Sequence, residues 1–195
     1  MLSGENVEFR LLQKEPEKTS IINFDVNESL ELVVSTKTKE SKKILVYNND
    51  GLFLYGFYFK CDGNIGVEWG EDNKIIIYLL KSNKRIEIDK QGVITSLVSY
   101  DISDYNDHFN HYVFSSKKQI GNLIFKTENS EKPIVVYSHN EIVQTNEDAV
   151  QRIVYQASSS SRITSVFFYI FIGGFISAVI IGVYFQIKNK TKQPE

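Results

Sequence analysis

Residues 166–185 read VFFYIFIGGFISAVIIGVYF, twenty consecutive positions without a charged side chain. At 1.5 Å per residue a helix of that length spans about 30 Å, the thickness of a bilayer's hydrocarbon core. Lipid offers the backbone no hydrogen-bond partners, so such a run is driven into a helix that satisfies its own amides. Tyr169 and Tyr184 stand toward its two ends, where amphipathic rings favour the headgroup level. Arg162 flanks one side, and Lys188, Lys190 and Lys192 the other. The sequence predicts one transmembrane helix over residues 166–187 and a basic tail over 188–195, with the lipid bilayer as first partner. Gly174, Ala178 and Gly182 recur every fourth position, with Gly173 and Ser177 beside them. Small residues at that spacing share one face and let a second helix approach, so these three are the candidate residues for homo-oligomer packing in the membrane.

Two rules disagree about sidedness. Three lysines beyond the span against Arg152 and Arg162 before it favour a cytoplasmic tail. The opening Met-Leu-Ser-Gly-Glu-Asn-Val, however, lacks the basic and apolar regions of a signal peptide. Long domains do not follow the short-loop charge rule. We expect a tail-anchored arrangement with the domain in the cytosol.

The remainder, about 160 residues, is enough to bury a core. Apolar residues make up 42 % and charged ones 24 %, the balance of a folded chain. A net charge of −2 gives no basic field for nucleic acid. The single cysteine, Cys61, excludes an intramolecular disulfide and a cysteine-based zinc site.

Residues 1–20 are polar and interrupted by Pro16, the pattern of an irregular arm. From 21 to 145 the chain alternates β-rich runs with polar turns. Runs at 21–24, 30–34, 43–47, 52–59, 65–69, 74–80, 85–88, 93–100, 112–114, 120–126 and 134–138 predict a mainly β domain, an antiparallel meander of sandwich or barrel type. Residues 52–59 and 75–80 are apolar on both faces and read as core strands. Two hairpins echo one another: Asn48-Asn49-Asp50-Gly51 and Asp89-Lys90-Gln91-Gly92 each separate two strands, with the glycines 41 residues apart. That rhythm loosely resembles the hairpins of β-propeller blades, but a closed propeller needs at least four blades and this chain has room for about three. We read a repeated hairpin in a sheet.

Near Thr145 the apolar period lengthens. Ala149, Val150, Ile153, Val154 and Ala157 form an i, i+3, i+4 stripe behind a partial capping box, Thr145 with Asp148. This predicts an amphipathic helix over 146–157, joined to the membrane span by a serine-rich joint at 158–165.

The densest polar stretch is DISDYNDHFNH at 101–111, read as a loop. Asp101, Asp104, Asp107, His108 and His111 are its candidate metal ligands, since carboxylates and imidazoles suit hard and borderline cations. The spacing matches neither a zinc-protease helix nor a calcium loop. No cofactor motif or nucleophile elbow is visible, and Gly63, Gly66 and Gly70 sit among strand residues. These readings converge on a membrane-anchored β-rich interaction or assembly module with an unspecified protein partner, not an enzyme. The first rival is a ligand or metal sensor that signals through the juxtamembrane helix, and the second, more remote, is an enzyme.

Overall fold

The computed structural model describes Val7 and residues 9–37, 41–128 and 139–158. The predicted span, its joint and tail, and the packing residues Gly174, Ala178 and Gly182 lie outside the described residues, as does the run at 134–138. Among the described residues no helix is long and apolar enough to cross a membrane.

Among the described residues the protein is mainly β, with antiparallel sheets and one short α-helix. Sheet one has the order β1-β5-β4-β3-β2, sheet two β6-β7-β8-β9 and sheet three β10-β11-β12-β13. Sheet one comprises β1 (Arg10–Leu12), β2 (Ile21–Val26), β3 (Leu32–Lys37), β4 (Lys42–Tyr47) and β5 (Phe53–Phe59). Sheet two comprises β6 (Ile65–Trp69), β7 (Ile75–Leu79), β8 (Lys84–Ile88) and β9 (Ile94–Ser99). A helix, α1 (Ile102–His108), runs into a π-helical turn at Phe109–Val113. Sheet three comprises β10 (Lys117–Ile120), β11 (Leu123–Glu128), β12 (Glu141–Thr145) and β13 (Gln151–Gln156). Among the described residues every pairing is antiparallel. From β2 onward, each sheet is therefore a four-strand meander.

Sheet one lies in the middle because alternate residues supply both of its faces. Val33, Ile44, Val46, Phe57 and Phe59 pack on Ile65, Val67, Ile75, Ile77 and Ile86 of sheet two. Their neighbours Phe24, Val34, Leu45 and Tyr47 pack on Phe125, Ile142, Val154 and Tyr155 of sheet three. The far face of sheet two, through Ile76 and Tyr78, carries the helical segment by Phe109 and Val113. Each fully buried side chain of this size contributes roughly 1.5–3 kcal/mol. β7 is buried along its whole length, as its apolar run predicts. β5 is not, because Leu54 stays 42 % exposed.

Four hairpins share one turn. An Asn or Asp in first place (Asn27, Asn48, Asp89, Asn146) donates its N–H to the fifth residue's carbonyl and accepts that residue's N–H on its side chain. The fourth residue's N–H closes the turn on the first residue's carbonyl. This geometry holds the fourth residue at positive φ: Leu30 at 60°, Gly51 at 75°, Gly92 at 81° and Ala149 at 59°. The Asx side chain stabilises the turn, and glycine is the residue that tolerates its fourth position without strain.

The third member of the echo overturns the predicted helix at 146–157. Asn146–Val150 is the same turn and residues 151–156 are β13, paired with β12 as Gln144↔Arg152 and Ile142↔Tyr155. Ala149 at positive φ cannot begin a helix. The apolar stripe is no face either: Val154 and Ala157 are buried, whereas Val150 and Ile153 are 61 % and 53 % exposed. Pairing with an available edge outweighed a helical period carried by only five residues.

The lead-in also differs from an irregular arm. Arg10, Leu11 and Leu12 pair with Tyr58, Phe57 and Gly56, and the Phe9 ring lies 4.8 Å from that of Phe59.

Ala149→Gly relieves a left-handed alanine and should stabilise the fold by about 0.5–1 kcal/mol. Gly51→Ala should destabilise it by more than that, since a Cβ there would sit 2.9 Å from the Val154 carbonyl oxygen. Urea unfolding midpoints at constant slope test both signs.

Candidate functional site

β2, β6 and β10, the first strand of each meander, are edge strands that come together. An edge strand inside a protein carries amides without ladder partners, and leaving one unmet costs about 1–3 kcal/mol. β2 meets them with side chains. Asn23 behaves as a peptide group: its Oδ1 accepts from Val67 N at 3.2 Å while its Nδ2 donates to Val67 O at 2.8 Å. The same Nδ2 reaches Val113 O at 3.1 Å and so ties in the end of the helical segment. Two residues on, Asp25 Oδ2 accepts from Trp69 N at 2.9 Å. Ser35 Oγ closes onto Asn23 Oδ1 from behind.

Asp25 is 1 % exposed, and its charge is met by Lys118 of β10, 5 % exposed, at 3.3 Å. The Lys118 ammonium also donates to Tyr112 O at 2.7 Å and lies 3.5 Å from the centre of the Tyr112 ring. Burial pushes the Asp25 carboxyl up and the Lys118 ammonium down, and their mutual attraction opposes both shifts. Tyr112 is pushed up to about 12, by burial first and then by the Asp25 carboxylate.

Glu68 points from β6 to the other face, under the helical segment, and is 6 % exposed. Tyr78 donates its hydroxyl to Glu68 Oε1 at 2.6 Å. His108 Nε2 stands 2.8 Å from Glu68 Oε2, and because a carboxylate only accepts, that ring nitrogen carries the proton. Burial, reinforced by the bond to Glu68, pushes the Tyr78 phenol up. The His108 ring stacks on Tyr112 at 5.3 Å and 15°. A glycine makes this approach possible: a Cβ on Gly66 would come within 2.7 Å of Val113 Cγ1.

The site is thus a carboxylate–imidazole pair at the rim of a buried ion pair, with the His108 side chain 40 % exposed. A carboxylate gripping one ring nitrogen leaves the other for an outside proton or ligand. Separately, an open cleft of about 580 Å³ is lined by Trp69, Glu71, Lys74, Ile76, Arg85 and Glu87. Arg85 and Glu87, neighbours on one face of β8, pair along its wall at 2.6 Å.

The sequence candidates land apart. The stretch at 101–111 is not a loop: Asp101 caps α1 by accepting from Ser103 N at 3.0 Å. Tyr105, Phe109 and Val113, four apart, turn toward the core. The same helical continuation replaces the strand expected at 112–114. Asp104, Asp107 and His111 are exposed on the helical segment, and only His108 reaches the polar centre. Among the described residues no three His, Cys, Asp or Glu side chains gather to hold a metal ion. Cys61 is half-buried against the core between sheets one and two. Asn23, Asp25, Glu68 and Lys118 were not singled out in the sequence. Their one local signal is a polar residue at an inward position of a strand.

No family model matches the chain, and neither does any curated protein. Among solved structures it is similar to a selenomethionine-substituted virginiamycin B lyase from Staphylococcus aureus, at 15 % identity and a TM-score of 0.33. That match covers 76 % of this chain and 45 % of the lyase, so the chain spans less than half of that protein's length. Neither a shared fold nor a shared activity follows from a likeness of this size.

Lys118→Met leaves the Asp25 carboxylate buried without its cation and should cost about 3–5 kcal/mol, most of it recovered by adding Asp25→Asn. In the single variant the Asp25 carboxyl rises further. The folded state then holds its proton where the unfolded chain has lost it, so the deficit should grow as pH climbs above the ordinary carboxylate range and shrink on acidification. Denaturation midpoints of the four proteins between pH 4 and 8 test the cycle and its sign.

Proposed function

We propose that this chain is a single-pass membrane protein whose β-rich unit, Met1–Ala157, serves as an interaction module at a membrane surface on the cytosolic side. The observation that carries the reading is the uncharged run at 166–185, long enough for one crossing and bracketed by Arg162 and three lysines. The compact unit ends at Ala157, nine residues before that run begins. Exposed apolar side chains support an interaction role rather than a catalytic one: Val93, Ile94, Leu97, Val98 and Ile102 cluster within ten residues and stay 41–58 % exposed. Groups of exposed apolar residues on a folded domain mark contact surfaces. Confinement to a membrane would raise the effective concentration of such a surface for any partner in the same plane. The rival relay to the anchor needs a helix at 146–157, where residues 151–156 form β13 instead.

The full chain should stay with the membrane fraction through alkaline carbonate, and deletion of 166–187 should release it. Recovery of the intact chain in the carbonate supernatant would reject the anchor. Sidedness follows from Gln193→Cys in a Cys61→Ala background. In a single bacterial membrane, labelling of the tail by an impermeant maleimide on intact cells places the domain in the cytosol. Labelling only after lysis places it outside.

A further inference from the structure

We propose that two copies of this chain pair antiparallel through β9, continuing sheet two across a two-fold axis. This deepens the interaction-module reading by naming the partner, and rests on it only for bringing the two copies within reach.

β9 is the outer strand of sheet two. Proteins usually guard such an edge with lysine, proline or a covering element. Residues 91–100 contain neither a charge nor a proline. Val93 is 58 % exposed, Ile94 41 %, Leu97 48 % and Val98 45 %. These side chains stand on both faces of the strand, and among the described residues no strand pairs with its outer edge.

The occupant is a second copy because the strand complements itself in one register. β9 carries a bulge: Ile94 pairs with Ile88 and Leu97 with Ile86, while Thr95 Oγ1 donates to Glu87 O at 3.3 Å. The bulge puts Ile94 and Leu97 on the same face, although residues three apart in a regular strand would oppose one another. The ladder fixes their backbones too. Asp89 N donates to Val93 O and Tyr100 N to Asn83 O. On antiparallel alternation, both Ile94 and Leu97 therefore turn N–H and C=O toward the open edge.

A two-fold axis between Thr95 and Ser96 then sets Leu97 opposite the partner's Ile94 and Val98 opposite the partner's Val93. Backbone donors meet acceptors at both Ile94 and Leu97. The same register carries the partner's Asp101 alongside the turn that holds Lys90, both exposed and of opposite charge. Sliding the partner by one residue loses the facing and the backbone match together.

The test uses the full chain in detergent, with Cys61→Ala as background. Ser96→Cys places the introduced thiols of two copies beside the axis, so oxidation should give a covalent dimer. Light scattering on the background protein should report two chains. Leu97→Lys, at an exposed position, should abolish the cross-link and the dimer while leaving the far-UV circular dichroism of a folded β protein, and should remove any dependence of the thermal midpoint on protein concentration. Lys90→Asp should lower the cross-linked fraction, and Lys90→Asp with Asp101→Lys should restore it. Gly174→Ile with Ala178→Ile should leave the cross-link at position 96 intact. A monomer, a dimer indifferent to Leu97→Lys, or no covalent dimer through position 96 would each overturn the pairing. A chain that cross-links there yet dissolves without detergent would keep the pairing and lose the anchor. A carbonate-resistant chain with no such cross-link would do the reverse.

Discussion

An edge strand placed in the middle of a protein must find partners for amides that no ladder serves, and the assembly of the three sheets follows from how β6 finds them. Asn23 offers Val67 an acceptor at 3.2 Å and a donor at 2.8 Å, the same pair that another strand would offer. Asp25 serves Trp69 N in the same way at 2.9 Å. Two side chains on one strand thus stand in for a missing neighbour. The choice has a consequence, because a carboxylate accepting a backbone amide in a dry place needs a counter-charge. Lys118 supplies it from β10, and sheet three is thereby tied to the junction of the other two. The apolar layers give most of the stabilisation but tolerate sliding. The amide and ion-pair contacts are directional, and they set which residues face each other.

The helical segment belongs to the same arrangement. Phe109 and Val113 bury against Tyr78 and Ile76 of sheet two, with Tyr100 and Tyr105 completing an aromatic group. The Phe109 and Tyr78 rings meet edge to face at 5.0 Å. That packing holds His108 over Glu68, and Gly66 leaves the room for it. The imidazole therefore sits at a boundary, gripped from below by a buried carboxylate and stacked on Tyr112.

Much of this was legible in the chain, and what was not has identifiable causes. The strands at 65–69 and around 75–79 were readable because a buried strand is a short apolar run and nothing competes with it. The turns at Asn48 and Asp89 were readable because a glycine marks the left-handed position. The equivalent turn at Asn146 was hidden by Ala149, whose left-handed backbone at 59° no local pattern announces. The shared signal was the Asx at first position, present in all four turns. In 101–113 the polar residues drew attention to a loop, yet Asp101 as a cap and the four-residue spacing of Tyr105, Phe109 and Val113 were the signs of a helix. His108 stood among the candidates. Its partner Glu68 lies forty residues earlier on a strand and shares no local pattern with it.

Alternation, turn chemistry and apolar runs act over a few residues, so the class of element was readable along most of the chain without its fold. The sequence also supplied the uncharged run at 166–185, whose length and lack of charge are properties of the chain alone. The assembled fold settled the rest: which strand became an edge, that Asn23 and Asp25 would serve β6, that Lys118 would be drawn inside, and that 151–156 would pair with β12 and not coil. The contacts of Asn23, Asp25 and Lys118 join residues 44 to 93 positions apart, whereas β13 pairs with its hairpin neighbour and competes with the helix over a short stretch. The free energy of such a contact depends on what is already assembled around it, and no local window of sequence contains that information.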